Sequence, residues 1–86
     1  MLETEGDDVE VNAIAKEIEQ YLERRPRSKD SLEGIRTWWL AGTTLTATSL
    51  KVERALDQLI ARGMVAKETL PDGRVVYASA RAKPAL

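Results

Sequence analysis

The chain contains no cysteine and no histidine among its 86 residues. That removes disulfides, thiolate nucleophiles, zinc sites of the usual kind and imidazole acid–base chemistry together. Long apolar runs are missing as well: nothing approaches the roughly 20 residues a membrane-spanning helix requires. The opening segment Met1-Leu2-Glu3-Thr4-Glu5-Gly6-Asp7-Asp8 is acidic where a secretory signal would be basic. A cytoplasmic protein with no membrane partner is the expectation. The five glycines are scattered, so there is no glycine-rich phosphate loop. Hydroxyls are plentiful in Thr43, Thr44, Thr46, Thr48 and Ser49, but no histidine can serve as their base. Lys51, read as facing outward, lacks the burial that would make it one. No enzyme activity, metal or cofactor is expected.

What remains is enough for one domain with a modest core. The formal net charge is −1, which argues against a nucleic-acid binder, since neutralised phosphates supply most nonspecific affinity. The charge is unevenly distributed, however. Glu3, Glu5, Asp7, Asp8 and Glu10 all precede residue 11, and residues 11–86 carry nine acids against thirteen bases. Residues 1–10 are therefore read as an acidic disordered leader, 11–80 as the folded domain and 81–86 as a C-terminal tail without periodic pattern. The sharper reading of the leader is a phosphate mimic that competes for a basic face.

Apolar residues recur at helical spacing from Val11 through Ile14, Ala15, Ile18, Tyr21 and Leu22, which predicts a first helix over residues 11–25, ended by Pro26. A basic linker, Arg24-Arg25-Pro26-Arg27-Ser28-Lys29, follows. Asp30-Ser31-Leu32-Glu33 predicts a capping box opening a second helix, with Asp30 accepting from first-turn amides and Glu33 reaching back. Leu32, Ile35 and Trp39 share a stripe, so Trp39 is a core candidate. Trp38 lies on the flank, where core is favoured over a role as partner anchor. Gly42 is read as the terminator of that helix, and Thr43-Thr44-Leu45-Thr46 as a short edge strand.

A third helix is predicted over residues 49–62, capped by Thr46 or Thr48 and burying Val52, Leu56, Leu59 and Ile60 with Ala55 beside them. Gly63 suits the left-handed position that stops a helix. Residues 64–69 and 74–79 read as a hairpin across Leu70-Pro71-Asp72-Gly73, with Pro71 at the second turn position and Gly73 at positive φ. Val65, Val75 and Tyr77 alternate toward the helices.

This order of parts, with Leu56, Leu59, Arg62-Gly63-Met64-Val65, Asp72-Gly73-Arg74 and Tyr77 in place, resembles the winged helix-turn-helix family over residues 13–80. The resemblance implies a mainly α fold with a small β wing, a three-helix bundle plus hairpin in the order α-α-β-α-β-β. It also implies a third helix in a DNA major groove with the wing beside it. The run Gly34-Ile35-Arg36-Thr37-Trp38-Trp39-Leu40 is similar to one in small bacterial proteins and implies no activity.

Read for chemistry, the outward face of the third helix offers Thr48, Ser49, Lys51, Arg54 and Gln58 for phosphates and base edges, with Arg74 from the wing. Ala47 and Leu50 are placed for thymine methyls. Double-stranded DNA is thus the first partner, in a regulatory role, and pairing into a homodimer would double the base contacts. Glu53 and Asp57 oppose phosphate. An outward Leu50, with Trp38, suits a protein partner instead, which makes a docking adaptor without DNA binding the alternative.

Overall fold

A computed structural model describes residues 2–42 and 47–80, with side chains from Val9 onward. Helix α1 spans Leu2–Arg24, strand β1 Lys29–Asp30 and helix α2 Leu32–Gly34, which runs directly into a π-helical turn over Ile35–Trp39. Helix α3 spans Ser49–Ala61, and strands β2 (Val65–Thr69) and β3 (Val75–Ser79) close the described chain. Helices on one side and a small antiparallel sheet ending in a hairpin wing make this a winged-helix-like fold. The first strand stands before the second helix, so the order is α-β-α-α-β-β. The strand read at residues 43–46 and the tail at 81–86 lie outside the described residues.

α1 begins nine residues before the expected start, so the acidic segment read as a disordered leader is helical from Leu2. Acids on the first turns complement the positive end of the helix dipole, and no proline intervenes before Pro26. Val11, Ile14, Ala15, Ile18 and Leu22 all bury on one face, as their spacing requires.

The start of α2 differs from the predicted capping box. Asp30 belongs to β1, paired with Tyr77, and its carboxylate accepts from the Ser31 amide at 2.8 Å. Ser31 is the cap, its hydroxyl accepting from the Gly34 amide at 3.1 Å. Glu33, no longer needed at the cap, turns to Arg36 and Ser49. Asp30 also closes over Gly34, where an added Cβ would meet its carboxylate oxygen at 1.8 Å.

The π-helical turn has a packing cause. In an α-helix Leu40 would point about 140° away from Ile35. The Leu40 amide instead donates to the Ile35 carbonyl at 3.2 Å, the i to i+5 bond that stacks the two residues. Ile35, Trp39 and Leu40 are all buried as a result. Trp38 is the residue rotated outward: it is 70% exposed, against the expectation that favoured core. Trp39 stacks on Tyr21 of α1, ring centroids 4.7 Å apart and planes 9° off parallel. The helix ends here rather than at Gly42, which is exposed and has no positive φ.

α3 is capped by Thr48, whose hydroxyl accepts from the Lys51 amide. It stops in a Schellman motif: Gly63 at φ +76° donates to Ile60 and Met64 donates to Leu59. Val52, Ala55, Leu56 and Leu59 are fully buried, whereas Ile60 is only half-buried. In the wing, Gly73 at φ +92° donates to the Leu70 carbonyl, and Leu70 donates to Arg74 at 2.7 Å. The sheet order is β1-β3-β2, with Ala66 opposite Ala78 and Lys67 opposite Tyr77. Val65 and Tyr77 face the helices, Val75 is half-buried, and Asp72 and Gly73 are at the exposed tip. No described helix is long and apolar enough to cross a membrane.

Candidate functional site

The outer surface of α3 is decided by which of its polar side chains the fold has already used. Thr48 is spent on the cap. The Ser49 hydroxyl donates to Glu33 at 3.2 Å, tying the start of α3 to α2. Lys51 forms an ion pair with Glu10 of α1, and its side chain is only 21% exposed. Its reading as an outward group is therefore corrected: it lies on the flank of α3 that meets α1. Gln58, expected at base edges, is half-buried with Oε1 sealed from solvent and unpartnered among the described residues. Both sit about 250° round the helix from Val52 at 100° per residue, beside the buried stripe rather than opposite it. Ala47 is also half-buried against the core.

Leu50 and Arg54 remain outward. Leu50 is 58% exposed, and Arg54 is exposed with no ion-pair partner among the described residues. Glu53 and Asp57, at i+3 and i+7 from Leu50, are exposed on the same side. Their charge reaches the sheet. Burial first, then Glu53 and Asp57, push the Tyr77 hydroxyl above the ordinary tyrosine value.

Three cations elsewhere on the described surface are matched by acids. Arg36 bonds Glu33 at 2.8 Å, and this hydrogen bond, followed by that from Ser49, holds the Glu33 carboxyl below its usual value. Lys29 pairs with Glu68 across the sheet at 3.0 Å. Arg74 donates through Nε to Asp72 at 2.7 Å, and the same carboxylate takes the Arg74 amide. Both partners of that pair are well exposed, so it is worth little and opens readily.

At the other end of the helices, Leu22, Pro26, Leu59, Met64 and Val65 line a cavity of about 160 Å³, with Glu19, Glu23 and Ser79 on its polar side. Arg25 lies over the Tyr21 ring nearby, 5.8 Å from its centroid. Among the described residues, no three acidic side chains are grouped to hold a metal ion.

Thr48 caps α3 and Ser49, Leu50, Lys51, Arg54 and Gln58 lie on it, whereas Arg74, expected to open the second wing strand, stands in the turn just before β3. The structure does not unite them as one phosphate-facing set. Glu10 was missed as a group that matters to α3, and only its charge, opposite to that of Lys51, could have pointed to it. Comparison with protein-family models, curated proteins and solved structures yields no match.

Proposed function

We propose that this domain is a protein-docking module built on a winged-helix-like scaffold. The observation that carries the reading is the state of α3. Its helical face toward solvent presents Leu50 between Glu53, Arg54 and Asp57, while Lys51 is matched by Glu10 and Gln58 turns inward. Phosphate attracts unpaired cations, and this face holds one cation and two acids. An exposed leucine has more to gain from burial in a partner, roughly 1.5–3 kcal/mol for a complete transfer. Trp38 adds a second exposed anchor on a neighbouring element, of the residue type most enriched where binding energy concentrates.

DNA binding in a regulatory role is the second reading. It is favoured by Arg54, and by Arg74, whose exposed pair with Asp72 gives way to a phosphate at small cost.

Titration of a labelled nonspecific duplex at low and at physiological salt separates the two. Docking predicts no saturable binding in either condition. Saturable binding whose log affinity falls by about 0.9 per log salt for each phosphate contact would establish the second reading instead.

A further inference from the structure

Near their C-terminal ends α1 and α3 share the walls of one cavity, Leu22 on the first and Leu59 on the second, with Met64 and Val65 completing an apolar floor. Its volume of about 160 Å³ is close to that of an apolar cavity able to hold benzene, roughly 150 Å³. The rim is of one charge. Glu19 and Glu23, four residues apart on one face of α1, both line it, and none of the described residues lining it is basic. Neither carboxylate has an ion-pair partner among the described residues, and the guanidinium of nearby Arg25 lies over the Tyr21 ring. Like charges at this spacing repel, so a cation between them is favoured twice, by its own attraction and by the repulsion it screens.

We infer that this cavity binds a small organic ammonium ion, a primary amine on an apolar body about the size of a benzene ring. The body is buried against Leu22, Leu59, Met64 and Val65, and the transfer of its apolar surface out of water supplies most of the affinity. The ammonium group stays at the mouth between Glu19, which is half-buried, and Glu23, which is exposed, and so keeps part of its hydration. A neutral molecule of the same shape gains the floor alone, and an anion meets two carboxylates. The cavity lies toward the opposite end of α3 from Leu50, so this site neither needs nor excludes a partner on the outer face of that helix.

The test titrates 2-phenylethylammonium, 2-phenylethanol and phenylacetate separately into the isotope-labelled full chain and follows the methyl resonances of Leu22, Leu59, Met64 and Val65. The ammonium ion is expected to shift them saturably and to bind at least about fivefold more tightly than the alcohol, with phenylacetate weakest and the preference shrinking as salt rises. Glu19→Gln with Glu23→Gln should abolish the preference and leave the affinity for the alcohol unchanged. Glutamine keeps the side-chain length and suits a helix surface, so this variant retains the fold. Equal binding of all three compounds, or a preference that survives the double substitution, would overturn the inference and leave only an apolar hole. Methyl resonances unmoved by every compound would overturn it as well. So would proton–proton contacts from Arg81 or Lys83 to the Met64 methyl in the ligand-free chain, which would mean that the cavity is filled from within the chain.

Discussion

Trp38 and Trp39 are neighbours in sequence and opposites in structure: one is 70% exposed and the other 7%. The difference is made by a single turn. A π-helical step lets Ile35, Trp39 and Leu40 share the core, and the residue rotated out is the second indole. The same division runs through α3, where Val52, Ala55, Leu56 and Leu59 are sealed and Leu50 stands in solvent. In both elements stability is concentrated on one face, and the apolar residue on the other does nothing visible for folding. That is why an outward leucine and an outward tryptophan are proposed as anchors for a partner.

The largest expected effect breaks the pair of tryptophans apart. Trp39→Ala removes the ring stacked on Tyr21 and should cost about 3–5 kcal/mol, enough to unfold much of so small a domain. Trp38→Ala should change stability by less than about 0.5 kcal/mol, as exposed substitutions do. Denaturant titration of both variants measures the contrast. Similar severe losses would mean that Trp38 also carries the core.

Much of this was legible from local chemistry. Gly63 and Gly73 are required at positive φ by a helix stop and a tight turn, Pro71 and Asp72 mark the same turn, and Thr48 has the hydroxyl that caps α3. These signals span a few residues and need no tertiary context. The π-helical turn was not legible, because counting at 3.6 residues per turn assumes the geometry it tests for. β1 was not legible either: two residues become a strand only because Lys29 and Asp30 meet Ala78 and Tyr77 from far along the chain. At the site, the identity of the outward residues of α3 could be counted, but the engagement of Lys51 by Glu10 and the burial of the Gln58 carbonyl are products of how α1 packs.

A smaller effect sharpens the comparison in the wing. Gly73→Ala forces a side chain to φ +92° and should cost about 1–2 kcal/mol, although open space surrounds the position. The loss comes from backbone strain alone, so its size in thermal melts calibrates how firmly the exposed turn is held.

The smallest effect lies in the titration of Tyr77. Its hydroxyl is held above the ordinary value near 10 by burial, Glu53 and Asp57, so its phenolate band should appear later on raising pH than that of an unfolded tyrosine. The raised folded-state value means its contribution to stability is complete below pH 10 and is lost as pH climbs through the folded value. Glu53→Gln with Asp57→Asn should move the band back toward pH 10, readable by ultraviolet absorbance.

The claim that the outer face of α3 is a docking surface is tested most directly by amide chemical shifts of the isotope-labelled full chain. The sample is titrated separately with an amphipathic leucine-bearing peptide and with a nonspecific duplex at low salt. The account predicts peptide-induced shifts at Leu50, Glu53, Arg54 and Asp57, and none from the duplex beyond weak, unsaturated drift. Saturable duplex-induced shifts at Arg54 and at Arg74 of the wing, with the peptide leaving Leu50 unmoved, would contradict it.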